Sequence, residues 1–117
     1  MKISEIRDLL EAEVLCCEEN LDQEVFTACG SDMMSDVLKY VKDQAVLLTG
    51  LCNPQVVRTA EMMDMVCIVF VRSKMPSDLM VSMAEDDGMV VMTTGKRMYE
   101  ACGTLYANGL IGTAVHV

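Results

Sequence analysis

The amino-acid sequence predicts an α/β fold, a three-layer sandwich on a mainly parallel sheet of four to six strands. Three observations carry this. Ala45–Thr49 (AVLLT), Val66–Val71 (VCIVFV) and Met89–Thr93 (MVVMT) are continuous apolar runs without polar alternation, the pattern of strands buried on both faces. Segments of helical spacing lie between them, opened by Asn53-Pro54 and by Pro76-Ser77-Asp78. Right-handed crossovers then leave few topologies, all with the three strands co-directional.

Each element has its own signal. Ile6, Leu9 and Leu10 recur at helical intervals and predict a helix from Ser4 to about Ala12, with Ser4 as N-cap. Glu13–Cys17 (EVLCC) reads as a short strand, and EENLD as a polar turn. Glu24–Cys29 (EVFTAC) is a second extended stretch ending at Gly30. Met33, Val37, Tyr40 and Val41 share one face of the next helix, with Ser31 or Asp32 available as its cap. The helix from Pro54 to about Asp64 buries Val56, Val57, Ala60 and Met63, with Asn53 as N-cap. The one opened by Ser77 turns Leu79, Met80, Met83 and Ala84 inward and is closed by Gly88. Met98, Cys102, Leu105 and Tyr106 mark a last helix ending near Asn108-Gly109. LIGTAVHV follows as a tail or an edge strand. The twelve methionines are expected mostly at helix core positions, as adaptable filling.

Length and composition fit one domain spanning residues 1–117: 52% of the residues are hydrophobic and 23% charged, too apolar for a disordered chain. MKISEIRDLL has no continuous apolar core, so no signal peptide is expected. The longest apolar run, Met65 to Val71, falls far short of the ~20 residues of a membrane span. A soluble, cytoplasmic protein with no membrane partner is expected.

The net charge of −9 is unevenly placed: residues 1–36 hold ten acids against Lys2 and Arg7, a net of −8. Such a field repels phosphate backbones, so nucleic acid is not an expected partner. The six cysteines, at 16, 17, 29, 52, 67 and 102, include no C-x-x-C, and His116 is the single histidine. On a strand, Cys16 and Cys17 would point to opposite faces, which suits neither a disulfide nor a shared metal. No metal site is expected. A nucleophilic triad would depend on His116, beside the C-terminus, and the carboxylates crowd into the first third and the helix surfaces rather than the strand ends. The chain is expected not to be an enzyme, and no cofactor is expected.

Ligands of open parallel sheets sit beyond the carboxyl ends of the strands, where helix N-termini also point. Here those ends carry TGLCN (Thr49–Asn53), RSKMPS (Arg72–Ser77) and TGKR (Thr94–Arg97). Arg58 lies about a turn into the helix after the first of these. Arg58, Arg72, Lys74, Lys96 and Arg97 are five of the nine basic residues of an acidic chain. Thr49, Gly50, Asn53, Thr93, Thr94 and Gly95 add polar side chains and accessible amides. This composition suits a phosphate or nucleotide, with the Gly50 and Gly95 amides and the charges of Arg58, Arg72 and Lys96 as its contacts. Neither G-x-x-x-x-G-K-[ST] nor G-x-G-x-x-G occurs.

SDVL (Ser35–Leu38), the run TGL-x-NPQVVRTAEM from Thr49 to Met62, and the Met-Tyr-Glu-Ala-Cys-Gly block from Met98 resemble the DRTGG domain family, over about Ala28 to Leu110. The pentapeptide of the family's name is not contiguous here; Thr49-Gly50 and Arg58-Thr59 are its nearest parts. The resemblance implies an α/β fold like the N-terminal domain of HPr kinase. It also implies a regulatory or accessory module, usually dimeric, with no catalytic residues to carry over. The sequence thus leads to a non-enzymatic module that senses a small anion or nucleotide, or relays a signal, as a homodimer. The alternative is a protein-interaction subunit without a small-molecule ligand.

Overall fold

The computed structural model describes residues 1–40 and 44–112, apart from the Tyr40 side chain. Expectations for Tyr40, Val41 and His116, and for the last five residues of LIGTAVHV, lie outside that set. Five strands form one sheet in the order β1-β5-β4-β3-β2: β1 (Glu13–Cys16), β2 (Thr27–Gly30), β3 (Ala45–Thr49), β4 (Cys67–Phe70) and β5 (Val90–Thr93). β2, β3, β4 and β5 are parallel, and β1 joins the β5 edge antiparallel. Every residue of β3, β4 and β5 is buried, the physical counterpart of their unbroken apolar runs.

The helices are α1 (Ile3–Leu10), α2 (Met34–Tyr40), α3 (Pro54–Met62), α4 (Asp78–Asp86) and α5 (Met98–Ala107). The crossovers through α2, α3 and α4 each advance one strand in the same direction, so right-handed connections put these helices on one face. α3 touches both α2 and α4, while α1 touches α5, which covers the other face. The result is the expected three-layer α/β sandwich.

Local chemistry sets the helix ends. Pro54 sits at the first helical position of α3. Ser77 Oγ accepts the Met80 N–H at 3.3 Å and caps α4. Gly88 takes φ +73° after α4, and the Met89 N–H reaches back to the Ala84 carbonyl at 2.9 Å.

Several local expectations are corrected. Ser4 does not cap α1: the helix begins at Ile3, and the Glu5 carboxylate accepts the Lys2 N–H at 3.2 Å. Neither Ser31 nor Asp32 caps α2, which starts only at Met34. Ser31 Oγ accepts the Met33 N–H at 3.0 Å in a turn before the helix, and Asp32 is used elsewhere. Met33 and Leu79 are not inward; they are exposed, as are Met62 and Met75. The buried methionines are Met65, Met80, Met89 and Met92, of which only Met80 lies in a helix. Beyond α5, Ile111 covers the β2 edge, its carbonyl accepting the Ala28 N–H at 3.0 Å.

Cys16 and Cys17 do not point to opposite faces of a strand. The register slips between Val14 and Cys16, β1 ends at Cys16, and Cys17 turns to φ +61°. Both thiols are consequently buried, and the Cys16 thiol donates to the Met89 carbonyl at 3.3 Å. Burial and the neighbouring Cys16 push the Cys17 thiol from 9.0 up to about 12. Burial pushes Cys67 up as well. Thiols raised in the folded state stay protonated after the unfolded chain begins to ionise. Their stabilising contribution is therefore whole below pH 9.0 and is lost as pH rises towards about 12. Urea midpoints measured against pH are expected to stay level below that window and to fall within it. The fall should be shallower in Cys67→Ala.

Candidate ligand-binding site at the strand ends

The parallel strands discharge their C-termini at one rim. Thr49 pairs with Phe70, and Phe70 with Thr93, so the three exits are level. The N-termini of α3, α4 and α5 stand at this same edge. Gly50, Asn53, Arg72, Lys74, Thr94, Gly95, Lys96 and Arg97 all lie in the three exit loops, and Thr49 closes β3 at the same edge. Arg58 sits on the exposed side of α3, in its second turn.

The middle and right-hand loops are tied together. Arg72 and Ser73 both adopt left-handed backbone, φ 59° and 57°, a conformation costing ~1–2 kcal/mol per non-glycine residue. Backbone bonds hold it: the Arg72 N–H donates to the Lys96 carbonyl at 2.9 Å and the Ser73 N–H to the Thr94 carbonyl at 2.8 Å. The Arg72 side chain crosses the other way, its guanidinium lying against Gly50 where a Cβ would stand. The charge of Lys74 also acts on the first loop. Burial raises the Cys52 thiol, and the Lys74 ammonium partly opposes that rise.

None of Arg58, Arg72, Lys74, Lys96 and Arg97 forms an ion pair among the described residues. The Gly95 N–H has no acceptor among them, and Gly95 is exposed. Asn53 holds the N-cap position of α3 without capping it, and its buried Oδ1 has no hydrogen-bond partner.

Other groups at the rim are already committed. Asp32, which the sequence offered only as a helix cap, accepts the Gly50 N–H at 2.7 Å and the Thr49 hydroxyl at 3.0 Å. The Gly50 amide is therefore not an open donor, a correction to its expected role. Thr49 Oγ1 in turn accepts the Leu51 N–H at 3.1 Å. Thr93 donates to the Lys74 carbonyl at 2.8 Å, and Thr94 to the Leu10 carbonyl at 2.7 Å. These hydroxyls build the loops instead of facing a ligand.

Nor are the carboxylates remote from the strand ends. Glu11 and Glu13 line a cleft of about 370 Å³ with Ser73, Met75, Thr93, Thr94 and Gly95. They arrive because β1 runs antiparallel, which brings its start to the exits of the other strands. The rim is thus bipolar, with cations in the middle, Asp32 on one flank and Glu11 with Glu13 on the other. Among the described residues no group of three or more His, Cys, Asp or Glu could hold a metal ion, and no helix is long and apolar enough to cross a membrane.

No protein-family model matches the chain, and no curated protein does. A solved structure shares its fold: the CBS and DRTGG domains of the regulatory region of Clostridium perfringens pyrophosphatase, complexed with the activator diadenosine tetraphosphate. The two superpose with a TM-score of 0.72 at 18% sequence identity. The match covers 89% of this chain but 45% of the other, so the chain spans less than half of that regulatory region. The α/β architecture of this chain is accordingly one that also occurs in that region.

Proposed function

We propose that this chain is a non-enzymatic regulatory module of the DRTGG kind, acting in the cytoplasm as a homodimer and sensing a small anion, phosphate or nucleotide, at the strand-end rim. The observation that carries the reading is the set of basic side chains without ion pairs among the described residues, four of them in the loops of one rim, in a chain of net charge −9. Arg72 and Lys96 are the central contacts. The strained Arg72 backbone fixes a guanidinium over Gly50, and Lys96 is joined to it by a backbone bond. The open Gly95 amide offers a donor for a phosphate oxygen. Support from outside the chain is the nucleotide in the pyrophosphatase regulatory region.

Calorimetric titration with pyrophosphate, ATP and diadenosine tetraphosphate tests the reading. At least one is expected to bind, more weakly as salt is raised. Arg72→Ala and Lys96→Ala are each expected to weaken that binding about tenfold, the worth of one charge-assisted hydrogen bond. Silence from all three ligands at millimolar concentration would leave the interaction-subunit reading in its place.

A further inference from the structure

The outer face of α5 has an unusual make-up. From Met98 to Ala107 the helix carries a single charged residue, Glu100. Tyr99 and Tyr106 are 88% and 69% exposed and present two large aromatic side chains to solvent. Between them Gly103 is also exposed, and a Cβ there would meet nothing within 4 Å. Glycine weakens a helix interior relative to alanine, so packing within this chain gives no reason for it. Ala107, one turn further, continues the gap, and the whole forms a shallow groove of about 670 Å³.

We infer that this face docks a second copy of the chain, antiparallel, across a two-fold axis passing at Gly103. The inference rests on the homodimer in the proposed function but does not need the anion site. A two-fold contact must be self-complementary, and helical geometry makes this one so. With Gly103 opposite its own counterpart, Tyr99 faces the partner's Ala107, a large side chain against a small one. Tyr106 then faces the partner's Glu100, so each phenol can donate to the single carboxylate the other copy brings. Bare glycine at the crossing point allows close approach of the two backbones.

Charge also selects the occupant. A basic protein would find its match on residues 1–36, which carry a net of −8, and not on a helix with one carboxylate. Two copies of net charge −9 repel over most of their surfaces and meet at least cost through a nearly neutral face. Two tyrosines burying ~150–250 Å² each leave the contact below the ~800 Å² per partner of a standard interface, so a weak, rapidly exchanging dimer is expected.

Sedimentation velocity on the full chain, from low micromolar to millimolar, at low and high salt, decides the matter. A monomer–dimer equilibrium is expected that strengthens with salt, because screening removes like-charge repulsion. Tyr99→Glu, at a surface position, and Gly103→Leu should each weaken it tenfold or more with unchanged circular dichroism. Gly103→Ala should weaken it while raising the melting temperature, which separates docking from folding. Undiminished dimerisation in Tyr99→Glu and Gly103→Leu would overturn the α5 face and leave the homodimer standing. A wild-type chain monomeric at millimolar concentration would overturn both, and association weakened by salt would overturn the charge argument for a second copy.

Discussion

Phe70→Ala is expected to destabilise the chain by about 3–5 kcal/mol, the range for emptying a buried aromatic site. Phe70 is fully buried in the middle strand, its register partners Thr49 on one side and Thr93 on the other. Domains of this size are stable by ~5–15 kcal/mol, so the substitution removes a large share of the total. Equilibrium urea unfolding should show a much lower midpoint. Ile68→Val, equally buried on β4, should lose only about 0.5–1.5 kcal/mol. The comparison matters for function because β4 ends in the Arg72 loop. Similar small losses in both variants would mean that the middle strand is not tightly packed, and the rim it supports would not be rigid.

Asp32→Ala should destabilise by about 2 kcal/mol, since one Oδ1 atom accepts both the buried Gly50 amide and the Thr49 hydroxyl. Asp32 itself is exposed, so water can re-solvate part of the loss and holds the effect near the middle of the usual range. Asp32→Asn keeps an acceptor oxygen and should retain most of the stability. It also removes a negative charge beside Arg72, so anion affinity should rise, opposite in sign to Arg72→Ala. A fall in affinity with unchanged stability would place Asp32 in contact with the ligand, against the arrangement described here.

The legible parts of the fold were those written in local sequence. AVLLT, VCIVFV and MVVMT announced β3, β4 and β5 to within a residue at each end, because a strand covered on both faces leaves no position polar. Proline at 54, serine at 77 and glycine at 88 gave the helix ends through backbone chemistry that needs no distant partner. What stayed hidden depended on contacts far apart in the chain. Asp32 meets Gly50 only because β2 pairs with β3, and the local pattern favoured a cap. Glu11 and Glu13 reach the rim only because β1 runs against its neighbour, a direction that EVLCC does not encode. Cys17 turned left-handed at a bulge, which strand alternation cannot foresee. Methionine was misplaced for a different reason: its flexible thioether suits core and surface alike, so Met33, Met62 and Met75 could face water.

At the site, residue type and position beyond the apolar runs were enough to bring the cations to one edge. Their availability was not legible, since ion pairing depends on side-chain placement. The open donor proved to be the Gly95 amide, while that of Gly50 was already taken.

Amide chemical shifts of the labelled chain during the nucleotide titration test the rim most directly. Shifts are predicted at Gly95 and Lys96, at Arg72 to Lys74 and across Gly50 to Asn53, with α2 and the Glu18–Asn20 turn unmoved. A saturable response confined to other elements, with those exit-loop amides still at millimolar nucleotide, would contradict the account.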